Sequence, residues 1–177
     1  MRAKQNQRLN GLAATGYCAA LKTYFHGVRE HLIFTPEGRL AFLVALPGNR
    51  HDVQGVYALL KTAFKGALLG DCAYQPNKTK AQKLAAQDIY VPAEQKSNAK
   101  EPRPKFLRQW IHTRRSKVER RIGLFDKQFH ADRTLNRSVR HYLARRWTKA
   151  LAHNCARHIN SAKHFAFESV AHFNAAA

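Results

Sequence analysis

The sequence predicts a mixed α/β fold with long helices at its C-terminal end, and three observations carry the prediction. Short apolar runs alternate with amphipathic segments from Thr23 to Val91, the pattern of strands and helices that share a sheet. A turn signature, Thr35-Pro36-Glu37-Gly38, separates two strand-like runs. Beyond residue 110, apolar side chains recur at helical intervals through two long stretches. The 177 residues suffice for one domain with its own core, and an apolar share of 45% belongs to a folded chain.

Taken in order, residues 1–21 are a basic lead-in, with Arg2, Lys4 and Arg8 followed by small residues and no strand or amphipathic pattern. Residues 22–91 hold the strands and the first helices. Thr23 to Phe34 and Leu40 to Leu46 read as a β-hairpin around the Pro36–Gly38 turn. Asp52 is placed to N-cap a helix running to Phe64, with Val53, Val56, Tyr57, Leu60 and Phe64 on one stripe. A helix over Thr79–Gln87 and a short strand Ile89-Tyr90-Val91, stopped by Pro92, complete this part. Residues 92–109 are a solvated basic loop. Residues 110–177 are helical: Trp110 to Phe129 with Val118, Ile122, Phe125 and Phe129 on one stripe, then Leu135 to Ile159. In the last helix Leu135, Val139, Tyr142, Leu143, Trp147 and Leu151 form the apolar side. Arg137, Arg140, Arg145, Arg146 and Lys149 form the other.

Within residues 22–91 lies Gly66-Ala67-Leu68-Leu69-Gly70-Asp71-Cys72-Ala73-Tyr74-Gln75. An apolar run bounded by glycines reads as a buried strand, and a carboxylate at its end sits where an α/β sheet opens to solvent. The alternative for Asp71 is a helix or turn cap. Glu119 lies one step round its helix from Val118, and its alternative is an ion pair within Arg114, Arg115, Lys117, Arg120 and Arg121. Together Asp71 and Glu119 are the candidate pair, because nucleases of the phosphoryl-transfer type use carboxylates to hold two divalent cations about 4 Å apart. Hard oxygen ligands are what Mg²⁺ requires.

Charge sets the partner. Lys and Arg number 31 against 11 Asp and Glu, a formal net charge of +20, which attracts polyanions and chiefly nucleic acid. No long uncharged apolar run is present, so a membrane-spanning helix is not expected. The small-residue stretch from Gly11 to Ala20 has too broken an apolar core for a signal peptide. Cys18, Cys72 and Cys155 are far apart and lack CxxC spacing, the usage of a reduced, intracellular protein with small buried thiols. His153, Cys155, His158 and His164 crowd together, but a zinc site wants four convergent ligands.

Five blocks then occur in a fixed order: Tyr17-Cys18-Ala19-Ala20, His26-Gly27 with His31-Leu32, Pro47 to Asp52, Leu68 to Tyr74, and Arg114-Arg115-Ser116-Lys117-Val118-Glu119. As a set they resemble bacterial insertion-sequence transposases of the DDE type, over roughly Gly16 to Asn160. The resemblance implies a ribonuclease H-like core in which two Asp and one Glu bind two Mg²⁺ ions. It implies cutting of DNA at element ends and joining of the freed 3′ hydroxyl to a target. Asp71 then matches the second Asp and Glu119 the Glu, both catalytic and metal-binding. Arg115 matches an arginine ahead of that Glu. Lys127 stands one step late for a phosphate-contacting lysine, position 126 being Asp. The DNA-binding set is Arg115, Lys127, Arg137, Arg140, Arg145 and Arg146.

In the family the first Asp ends a strand upstream of the stretch matching Arg2 to Arg8, and Glu30, Glu37 and Asp52 do not take its place. The expectation is an amino-terminally truncated DDE transposase, its ribonuclease H-like core lacking the first strand. It would act on DNA at the bacterial nucleoid in the cytoplasm, with a homodimer open and chemistry incomplete by itself. Two other readings stand beside it: a non-catalytic DNA- or RNA-binding module, and a basic structural protein resembling a ribosomal component.

Overall fold

The computed structural model describes residues 9–19, 21–95, 99, 101–130 and 138–163. Its elements are β1 (Ala14–Cys18), β2 (Thr23–Phe34), β3 (Leu40–Pro47), α1 (Val53–Ala58), β4 (Gly66–Ala67), α2 (Lys78–Ala85), β5 (Ile89–Tyr90), α3 (Lys105–Phe129) and α4 (Val139–Ala162). The fold is mixed α/β with long C-terminal helices, as the alternation of elements implies, and it is compatible with a ribonuclease H-like core. Contacts group the chain into two compact units. One comprises Met1–Ala13, Leu32–Leu43 and Arg120–Ala177, the other Ala14–His31 and Val44–Glu119.

In the second unit, β1 runs antiparallel to β2 with Thr15 opposite His26 and Tyr17 opposite Tyr24. The lead-in therefore does contain a strand, which its small residues concealed. Those small residues have a packing reason: a Cβ on Gly16 would lie 2.0 Å from the Gly48 carbonyl oxygen. The sheet order is β1-β2-β3, so the hairpin over residues 23–46 stands. A second sheet pairs β4 with β5 in parallel, Gly66 opposite Ile89 and Ala67 opposite Tyr90, with α2 as the connection. Asn77 starts α2 by accepting from the Lys80 amide at 2.9 Å. Val56, Leu59, Leu84, Ile89, Ala93 and Ile111 are buried here.

Four local expectations change. The strand before Asp71 is only two residues long, and Asp71 instead caps a 3₁₀ turn over Cys72–Tyr74. The Asp71 side chain takes the Ala73 amide, as Asp does at caps. Asp52 occupies the N-cap position of α1 but makes no capping bond, its carboxylate being taken by Arg29 at 2.6 Å. The helix after it ends in a 3₁₀ turn at Lys61 rather than at Phe64. The basic loop is shorter than 92–109, because α3 begins at Lys105, where the Pro104 carbonyl accepts from Leu107 and Arg108, each at 3.1 Å.

The first unit has its core at Leu40, Leu43, Phe125 and Ala150, flanked by Leu32, Phe34 and Phe129. His153 stands edge-on to the rings of Phe34, Phe125 and Phe129, at 5.7, 5.6 and 5.8 Å. Its Nε2 lies 3.0 Å from the Gly38 carbonyl. Asn154 meets the Leu40 backbone twice: its Oδ1 accepts from the amide at 2.8 Å and its Nδ2 donates to the carbonyl at 3.0 Å. The side-chain amide thus does for Leu40 what a further strand would do. Arg121 donates to the carbonyls of Thr35 and Pro36 at 2.8 and 2.6 Å, and Arg157 to that of Glu37.

The buried side of α4 is Tyr142, Arg146, Ala150, His153 and Asn160, turned from the predicted stripe. Trp147 and Leu151 are exposed instead. Arg146, expected on the outer face, is buried with its guanidinium 5.4 Å from the centre of the Phe125 ring. Its methylene stem supplies apolar surface and its charged head a cation–π contact, which a count of apolar residue types does not register. Of the cysteines, Cys72 and Cys155 are exposed rather than buried, and Cys18 is half-buried. Among the described residues no helix is long and apolar enough to cross a membrane.

Candidate functional site

Asp71 stands on the turn that follows β4. Its Oδ1 accepts from the Ala73 amide at 2.8 Å and its carbonyl from the Tyr74 amide at 3.1 Å. Tyr74 then reaches back under α1, its hydroxyl 3.0 Å from Nδ1 of buried His31. Burial, with the charges of Asp52 and Asp71, pushes the Tyr74 phenol up to about 12. Gly55 makes room for the His31 ring, since a Cβ there would lie 2.4 Å from its Cγ. The turn bearing Asp71 is thus tied to the three-stranded sheet through one histidine.

Glu119 lies on α3, and Arg115 one turn earlier pairs with it, Nη2 to Oε1 at 2.8 Å. The ion pair that the local charge context anticipated is present. Arg115 also binds Glu94 through Nη1. Glu94 has a second partner, with His112 Nδ1 at 3.2 Å from its Oε1. Meanwhile the Glu94 amide donates to the Gly70 carbonyl at 2.9 Å, immediately before Asp71. Glu94 and Glu119 therefore share one guanidinium, and Asp71 acts on it through its charge. Burial opposes the Arg115 charge, but the bond to Glu94 and the charges of Glu94, Glu119 and Asp71 outweigh it and raise the pKa above the ordinary value. Burial likewise opposes ionisation of Glu94, yet His112 and Arg115 hold it below the usual carboxylate value.

Glu94 and His112 are the members that sequence reading missed. The signal available was an acid just ahead of Lys96, Lys100, Arg103 and Lys105 in a chain where acids are scarce. Of the expected DNA contacts, Lys127 is exposed in the last turn of α3, and Arg140 and Arg145 are exposed on α4. Arg146 is buried, and Arg137 lies outside the described residues.

A two-ion centre needs several oxygen ligands converging with free lone pairs. Among the described residues no group of three or more His, Cys, Asp or Glu side chains is arranged to hold a metal ion. Glu94 and Glu119 already share Arg115 as an ion-pair partner. In this arrangement the residues do not fit a two-Mg²⁺ clamp.

What the geometry defines is a carboxylate–guanidinium site on a strongly basic α/β protein, the carboxylates coming from a post-strand turn, a loop and a long helix. The chain belongs to the transposase DDE domain family, whose model matches residues 1–155. No curated protein and no solved structure matches it.

Proposed function

We propose that this chain is a DNA-binding transposase protein in which Asp71 and Glu119 are the two catalytic carboxylates, and that it does not cut or join DNA by itself. The observation that supports the assignment is Arg115, which hydrogen-bonds Glu119 and feels the charge of Asp71. Two carboxylates 48 positions apart in sequence thus share one electrostatic neighbourhood, between Asp71 and Glu119. The same guanidinium supports the second half of the reading. With Glu94 and Glu119 both paired to Arg115, a Mg²⁺ ion would have to compete with that guanidinium for their oxygens.

Binding draws on the exposed cations outside that cluster as well. Lys127, Arg140 and Arg145 are exposed, and a net +20 draws the chain to the phosphates of duplex DNA, with little discrimination by sequence. In this reading the protein works with DNA as a bacterial insertion-sequence transposase, at the nucleoid. A non-catalytic DNA- or RNA-binding role is the rival, supported by the same Arg115-paired carboxylates. The experiment is strand cleavage of labelled element-end DNA with Mg²⁺ or Mn²⁺, using the chain and its Asp71→Asn variant. No cleavage with salt-sensitive binding is the expected result. Metal-dependent cleavage lost in Asp71→Asn would overturn the inactivity and keep the site, whereas cleavage that survives Asp71→Asn would overturn the site.

A further inference from the structure

The Glu94 carboxylate has the surroundings of a bound anion rather than those of a surface acid. It accepts from Arg115 on one oxygen and from His112 on the other, and its backbone is pinned to Gly70. It also forms part of the wall of a cavity of about 510 Å³ whose other charged members are Arg103, Lys105 and Arg108, with His112 beside them. One carboxylate thus sits among three cations of the cavity and the Arg115 guanidinium. The pair is open enough to exchange partners, since the Glu94 and Arg115 side chains keep 24% and 35% of their surface exposed.

We propose that Glu94 is an internal anion that occupies Arg115 and the basic wall of this cavity until a DNA phosphate displaces it. A phosphate offers the same two acceptor oxygens to a guanidinium as a carboxylate does. Arg103, Lys105 and Arg108 would then contact the adjoining backbone. Glu94 weakens binding in two ways: it occupies the Arg115 donors, and its charge repels the incoming phosphate. The inference rests on the DNA-binding reading above and goes beyond it by naming an acid that works against affinity.

The test uses the full chain and a fluorescent duplex DNA, with binding followed by anisotropy across a salt series. Glu94→Gln keeps the shape of the side chain and removes its charge. It is expected to bind several-fold more tightly at low salt. Its slope of log affinity against log salt should steepen by about 0.9, the contribution of one further phosphate contact. The advantage over wild type should then shrink about three- to fourfold between about 50 and 200 mM salt. Arg115→Gln should weaken binding, and in the Glu94→Gln background it should erase the gain.

Glu101→Gln removes one negative charge from an exposed position and controls for overall charge. An equal gain there would overturn the proposal in favour of a global charge effect. Unchanged or weaker binding by Glu94→Gln would overturn it in favour of a purely structural clasp. A gain that survives Arg115→Gln would overturn the role of Arg115. If no variant and not the wild type binds DNA in a salt-dependent way, the DNA reading falls together with this one.

Discussion

Replacing Gly55 by Ala puts a methyl group into the space that the His31 ring fills. The added Cβ would stand 2.4, 2.6 and 2.7 Å from His31 Cγ, Cδ2 and Nδ1, against a comfortable separation of about 3.5–4.0 Å between carbon atoms. The shortfall is about 1 Å for several atoms at once. His31 cannot simply swing away, because it is buried and its Nδ1 meets the Tyr74 hydroxyl at 3.0 Å. Overpacking costs about 1–3 kcal/mol. Breaking the His31–Tyr74 contact inside the protein adds about 1–3 kcal/mol. Against these stands about 1 kcal/mol from the better helix propensity of Ala.

The expected net loss is about 3 kcal/mol, a fall in Tm of about 6–12 °C for a chain of this size. Urea denaturation followed by circular dichroism measures it. The same substitution in a His31→Ala background separates the clash from any other effect, because the added methyl then meets empty space. There it should be neutral or slightly stabilising. An equal cost in both backgrounds, or a stable Gly55→Ala protein, would refute the packing account and with it the tether between the sheet and the Asp71 turn.

Acidification should destabilise the fold below pH 6.5, the ordinary histidine value from which His31 and His153 are both lowered, chiefly by burial. Between their lowered folded values and 6.5 the unfolded chain binds protons that the folded one refuses, so stability rises with pH there and is full above it; a urea midpoint that rose on acidification would contradict this. Asn154→Leu removes both bonds to the Leu40 backbone and should cost about 2–4 kcal/mol by leaving a partly buried amide and carbonyl unpaired, read as a lower urea midpoint. Arg140→Gln and Arg145→Gln should each lower the salt slope of DNA binding by about one, whereas Arg146→Gln, at a buried position, should lower Tm and leave that slope nearly unchanged; equal effects of all three on the slope would remove α4 as a preferred DNA surface.

Asp71 shows how far local pattern carries. That a carboxylate follows a short strand is visible in Gly66-Ala67-Leu68-Leu69-Gly70-Asp71. How the chain passes from strand to carboxylate depends on β5, which pairs with only two residues of β4 before the ladder ends. The Asp71 side chain then finds the Ala73 amide at 2.8 Å. A cap and a strand end use the same residue type, and only the pairing partner decides between them. Asp52 shows the reverse: the cap position is right by sequence, yet Arg29, 23 residues earlier, takes the carboxylate. A charged partner from another strand outcompetes a neutral backbone amide.

By itself the sequence determined the mixed α/β class, the hairpin, both long helices and the family, because these rest on periodicity, turn chemistry and ordered motifs within short windows. Tertiary structure alone decided which face of α4 is buried, since that depends on Phe125 accepting the guanidinium of Arg146 over its ring. It also decided that β1 exists, because Ala14–Cys18 becomes a strand only beside β2. Most of all it decided the company of Glu119. Arg115 is its neighbour by helical spacing, which sequence shows, but Glu94 reaches the same guanidinium from a loop 21 residues away. Long-range electrostatics of that kind leaves no periodic trace, because a folded chain sets charge partners by distance in space and not by separation along the backbone.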